Sequence, residues 1–146
     1  MTTTPTRPAG QNLRRYAYAV GGAVLATVLV WTAAHGLGVD LRVDPGDGRP
    51  GQVVGLPLTA GVTFVVGLLA SATRAALDRL TDRAPAIWTG SAFIVLLVSF
   101  VPVLYVEASS GTRLILGSLH LIVAAVLAPL LSRRNRPVPH RERPAK

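Results

Sequence analysis

The stretch APAIWTGSAFIVLLVSFVPVLYV, residues 84–106, runs for 23 residues without a charged side chain. At about 1.5 Å of rise per residue it makes a helix roughly 34 Å long, enough to cross a hydrocarbon core of about 30 Å. Water-soluble core helices are seldom so long and so uniformly apolar, and a Val-rich strand would be far shorter. In lipid the backbone N–H and C=O groups find no water, so a helix is the economical way across. Three further runs, residues 16–37, 53–73 and 114–132, also lack charge and span 22, 21 and 19 residues. The reading is an all-α membrane protein of four transmembrane helices, at about 16–37, 53–80, 84–106 and 113–132. Residues 1–15 and the basic, proline-rich 133–146 are expected to be disordered cytoplasmic segments.

Composition agrees. The chain has 146 residues, room for one domain, and only 15% are charged, against about 25% in soluble proteins. Mean hydropathy is +0.45. The formal net charge of +8 would suggest nucleic acid if the basic residues formed one surface of a folded domain. Here they occupy short segments between apolar runs, so nucleic acid is not an expected partner. Cysteine is absent, which excludes disulfides, thiolate metal sites and thiol redox chemistry.

The basic residues encode orientation. Twelve of the 15 Lys and Arg fall in the N-terminal segment, the connection after the second run and the tail, whereas Arg42, Arg49 and Arg113 fall on the other side. That asymmetry places both termini in the cytoplasm of a multi-pass plasma-membrane protein. Arg14 and Arg15 precede the first run, but 22 residues exceed the roughly 7–15 of a signal-peptide core, so this helix is expected to be retained.

Short connections make sequential helices antiparallel neighbours, giving an up-down-up-down bundle. The external connection alternates Val39, Leu41 and Val43 with Asp40, Arg42 and Asp44 before a Pro-Gly turn, which predicts a short extracellular loop or β-hairpin between helices 1 and 2. Arg74 and Asp78 stand at i,i+4 spacing where helix 2 should leave the membrane. Asp82 is the expected cap of helix 3, with Pro85 in its first turn, and Thr112 the expected N-cap of helix 4. The pairs Ala19/Ala23, Gly22/Ala26, Gly67/Ser71 and Ala124/Ala128 allow close backbone approach. Pro102 frees the carbonyl of Val98. Trp31, Trp88, Tyr16, Tyr18 and Tyr105 lie towards the ends of the runs, as an interfacial aromatic belt does.

Ionisable residues at membrane depth are the first place to look for function. His120 is the deepest, six residues into the fourth run, about 9 Å from its start. Arg113 lies seven residues earlier, on nearly the same face. Depth matching sets Thr63, Ser99 and residues 27–31 near the level of His120. These residues predict a polar pocket in the outer half of the bundle, against the plainer reading of a neutral histidine bonded within its own helix. At the outer rim Asp40, Glu107, Arg113 and His35 are binding candidates, or simply a structural ion pair and loop charges. Asp44 and Asp47 lack the acidic spacing and terminal Glu of an EF-hand loop, so no metal is expected, and no cofactor motif is present.

Three local patterns together resemble a family of small bacterial four-helix membrane proteins, a domain of unknown function: residues 38–43 (GVDLRV), residues 83–88 (RAPAIW), and His120 with Pro129. The resemblance covers about residues 15–133 and implies the four-helix topology, with no activity or catalytic residues to carry over. Other four-helix activities are disfavoured residue by residue. Small multidrug exporters rely on a carboxylate in helix 1, which has none here. Quinone and vitamin K epoxide reductases need cysteine pairs. Ser118 and His120, two residues apart, face different directions. The expected function is a structural or accessory membrane protein, in contact with membrane lipids and binding a lipid, a small apolar ligand or another membrane subunit. The alternatives are a membrane-embedded isomerase or cyclase using His120 on an apolar substrate, and a homo-oligomeric transporter or channel.

Overall fold

The computed structural model describes residues 9–39, 41–44, 51–105 and 107–132. Within them the chain forms α1 (Ala9–Gly36), β1 (Arg42–Val43), β2 (Gln52–Val53), α2 (Leu56–Leu80), α3 (Ala84–Tyr105) and α4 (Ser110–Ser132). All four helices are long and apolar enough to cross a membrane, and the chain is a multi-pass membrane protein of the all-α class. The start of α1, the end of α4 and the α2–α3 connection share one end of the bundle, the terminal end. The hairpin and the α3–α4 connection lie at the other, the hairpin end.

Charge-free runs mark where lipid begins, not where helices begin, and the helix ends depart from them accordingly. α1 starts at Ala9, ahead of the 16 read from the sequence, because Asn12, Leu13, Arg14 and Arg15 continue the helix beyond its apolar part. It stops where the sequence puts it, at a Schellman motif: Gly38 takes φ 73°, its N–H reaches the carbonyl of His35, and Val39 N–H reaches Ala34, both at 3.0 Å. Glycine adopts that left-handed geometry without steric cost. α2 starts after Gly55, with Pro57 in its first turn. Its first-turn hydroxyl, Thr59 Oγ1, donates to the Gly55 carbonyl at 3.0 Å. α4 starts at Ser110 because Ser109, not Thr112, is its cap: the Ser109 hydroxyl accepts the Thr112 N–H at 3.1 Å. Thr112 sits one turn inside, buried, its hydroxyl 2.9 Å from that of Ser109.

The hairpin is present and short. β1 and β2 pair antiparallel, Arg42 opposite Val53 and Val43 opposite Gln52. Leu41 turns inward and is buried, as the alternation requires. The hairpin straps the bundle at two points. Trp31 of α1 donates its indole N–H to the Val54 carbonyl at 2.9 Å, and Asp44 N–H reaches the Glu107 carbonyl at 2.9 Å.

Small and polar side chains dominate the buried faces of α1 and α2; α3 and α4 add Trp88, Leu127 and Leu131 to the core, and many other bulky apolar side chains face outward. α1 buries Ala19, Ala23, Thr27 and Ala34, and α2 buries Thr63, Gly67, Ser71 and Arg74. Meanwhile Leu68, Leu69, Phe93, Ile94 and Val95 are each about half exposed or more. Without a hydrophobic force between helices in lipid, close packing and interhelical hydrogen bonds hold the bundle. Gly67 shows the closeness: a Cβ there would meet both Val20 methyls at 3.2 and 3.3 Å. α1 packs closely on α2 and α4, and α3 closely on α4, but α2 and α3 meet little along their length.

Candidate functional site

The sparse α2–α3 contact leaves a groove of about 420 Å³ whose floor is α4. Val66, Leu69 and Ala70 line it from α2, Ala92, Val95 and Leu96 from α3, and Val123, Ala124 and Leu127 from α4. Polar atoms are few: Thr73, Trp88 and Ser91 towards the terminal end, Ser99 and His120 at the deep end. Along α3 the lining spans Trp88 to Ser99, about 16 Å, or half of a roughly 30 Å hydrocarbon core. His120 stands ten residues from the start of α4 and twelve from its end, close to the bilayer middle. The groove runs from there towards the terminal end, not into the hairpin half where the sequence suggested a pocket.

His120 is half-buried, and its Nδ1 lies 2.7 Å from the Leu116 carbonyl of its own helix. A carbonyl only accepts, so Nδ1 carries the hydrogen and, in the neutral ring, Nε2 keeps a lone pair. Phe100 lies against the ring, centroids 6.0 Å apart. Ser99 donates to the Leu96 carbonyl at 2.7 Å, one turn before Pro102 interrupts the α3 ladder. Trp88 donates its indole N–H to the Ala128 carbonyl at 3.3 Å and is buried. It is therefore part of the helix–helix core rather than the aromatic belt, whereas Tyr18 and Tyr105 are exposed.

The other candidates do not converge on His120. Arg113 is exposed and lines a separate groove between α3 and α4 at the hairpin end, with Phe100, Leu114 and Gly117. Glu107 is exposed and engages Asp44 through its backbone. His35 is exposed and stacks on Trp31 at 5.1 Å. Asp40 lies outside the described residues. Thr63 meets Thr27 at 3.2 Å, forming a buried hydroxyl pair between α1 and α2. Since Thr63 gives its own hydrogen to the Thr59 carbonyl, Thr27 is the donor. Of the residues that depth matching set near His120, the structure brings Ser99 into its groove and places Thr27 and Thr63 between α1 and α2.

A second constellation, at the terminal end, was only partly visible in the sequence. Arg74 and Asp78 form the expected i,i+4 pair at 2.9 Å, yet Arg74 is only 2% exposed. Its Nε donates to the Leu131 carbonyl of α4 at 2.6 Å. Arg15 of α1 approaches the same Asp78 carboxylate at 3.7 Å. This knot joins three helices and satisfies a carbonyl in the last turn of α4, which no intrahelical N–H reaches. The signal was the alignment of Arg15, Arg74 and Asp78 at one depth.

Among the described residues no group of three or more His, Cys, Asp or Glu is arranged to hold a metal. No curated protein and no solved structure matches the chain. A family of unknown function (DUF6069) does match, over residues 7–137, and the chain belongs to that family.

Proposed function

We propose that this chain is a non-enzymatic plasma-membrane protein, with both termini cytoplasmic, that holds a lipid or other small apolar molecule between α2, α3 and α4. The observation that carries the reading is the groove itself. Its volume, about 420 Å³, falls within the roughly 300–1,000 Å³ of ligand sites, and its mostly apolar wall with a few polar groups is the usual composition of one. The reading is supported further by α2 and α3 standing apart where α1–α2 and α3–α4 close tightly. The isomerase or cyclase alternative draws on His120 in the groove wall working with Arg113 or Asp40, but Arg113 lines a different groove and Asp40 lies outside the described residues. The orientation rests on the distribution of Lys and Arg.

Native mass spectrometry of the full chain released gently from membranes tests the binding. A retained apolar molecule is expected in the wild type and a reduced share in Ala124→Leu, which fills the groove floor. Equal retention by both, with helical content unchanged, would remove the groove from the account. A reporter active only in the cytoplasm, fused after Lys146, tests the orientation; activity is expected, and silence from an inserted fusion would reverse it.

A further inference from the structure

The deep end of the groove has given its hydrogens away. His120 places its Nδ1 hydrogen on Leu116, and Ser99 places its hydroxyl hydrogen on Leu96. What these two side chains can still offer is lone pairs, on His120 Nε2 and Ser99 Oγ. Both side chains line the same groove, on facing helices. Trp88, the other N–H donor in the wall, is engaged with Ala128. We infer that the groove selects an apolar molecule carrying a hydrogen-bond donor at its deep end, an alcohol or phenol, over an otherwise identical ether or ester. The inference rests on the groove being a binding site, as proposed above, and deepens that reading by naming the chemistry of the occupant.

Depth sharpens the choice. The acceptor pair lies near the bilayer middle and the apolar wall runs from it to one surface. A phospholipid in that leaflet would bring its chain methyl, not its headgroup, to His120 and Ser99, leaving both acceptors facing hydrocarbon. Unsatisfied polar groups are costly there. A charged head carried to the same depth is more costly still. A neutral hydroxyl at the deep end of a chain about 16 Å long satisfies one or both acceptors and leaves the rest of the molecule against Val66, Val95 and Leu127. Selection of this kind follows from hydrogen supply. Where the donors at the deep end are spent, a ligand that brings only acceptors there leaves acceptors opposed, and one that brings a donor completes the bond.

The test uses the full chain in lipid nanodiscs with Trp31→Phe, which leaves Trp88 in the groove wall as the one tryptophan, since the chain has two. The probes are 12-bromododecan-1-ol and its methyl ether, whose bromine quenches nearby indole fluorescence. Both are expected to quench Trp88, the alcohol at a mole fraction roughly fivefold to tenfold lower, the worth of one net hydrogen bond. Ser99→Ala and His120→Phe should each narrow that preference. In parallel, 15N spectra of the imidazole in a His35→Gln, His140→Gln background should show hydrogen on Nδ1 in the free protein and a perturbed Nε2 with alcohol. Equal quenching by alcohol and ether, or hydrogen found on Nε2, overturns the donor selectivity while leaving the groove in place. Failure of both probes to quench Trp88 overturns the groove and the selectivity together.

Discussion

Replacing Arg74 by Leu tests whether a buried charge holds the terminal end together. The guanidinium is 2% exposed. It carries a 2.6 Å bond to the Leu131 carbonyl and a 2.9 Å contact to Asp78. Removing one partner of a buried pair costs about 3–5 kcal/mol when the other charge is left uncompensated. Asp78 is 32% exposed and retains Arg15 at 3.7 Å, which sets the expectation at the low end, about 3 kcal/mol, or roughly a hundredfold in the folding equilibrium. The assay is reversible unfolding in mixed micelles by graded SDS, followed by helical circular dichroism. A double-mutant cycle with Asp78→Leu separates pairing from packing. Arg74→Leu combined with Asp78→Leu should recover at least about 1 kcal/mol of the summed single losses, because two apolar side chains replace a pair whose desolvation was itself costly. A single-mutant loss below about 0.5 kcal/mol, or strict additivity in the cycle, would refute the claim that this knot holds α1, α2 and α4 together.

Four further outcomes follow from contacts elsewhere in the bundle. Thr27→Val removes the donor of the α1–α2 hydroxyl pair, and a cycle with Thr63→Val should give a coupling near 0.6 kcal/mol, the average for such bonds in lipid, read by the same SDS titration. Gly67→Leu, whose Cβ would meet Val20 at 3.2 Å, should destabilise by about 1–3 kcal/mol. Gly21→Ala, with nothing within 4 Å, should stay within about 0.5 kcal/mol. Trp31→Phe breaks the indole bond to Val54, and hydrogen exchange at the Val54 amide, which is bonded to Leu41, should accelerate by up to about tenfold.

The four spans and the hairpin were legible because each rests on local pattern: the length of an uncharged run, and the alternation through Leu41 and Val43. Helix ends were less so, since charge reports depth in the membrane while Ser109 and Gly38 report hydrogen bonding. The groove was not legible. Nothing in the spacing of α2 or α3 distinguishes a face that meets lipid from one that lines a gap, because both are apolar. Trp88 is ambiguous for a related reason: its nearness to a helix end fits an interfacial belt, while its burial and its bond to Ala128 show a core position. Arg74 sits immediately after a charge-free run and counts towards orientation, so its inward turn became visible only with α4 beside it. His120 was recognised as a candidate, but its tautomer depends on Leu116 and its surroundings on where α2 comes to rest.

The three-residue connection between α2 and α3 has a mechanical consequence. Residues 81–83 are bonded on both sides, Thr81 N–H to Leu77 at 3.0 Å and Ala86 N–H to Arg83 at 3.0 Å. They tether the two helices at the end where the Arg74 knot also holds α2 to α4. At the other end, among the described residues, the hairpin meets α1 through Trp31 and Val54 and the α3–α4 connection through Asp44 and Glu107. A pair of rods pinned at one tip parts by pivoting, so loosening the hairpin strap is expected to widen the seam between α2 and α3 least beside Trp88 and more towards Ser99.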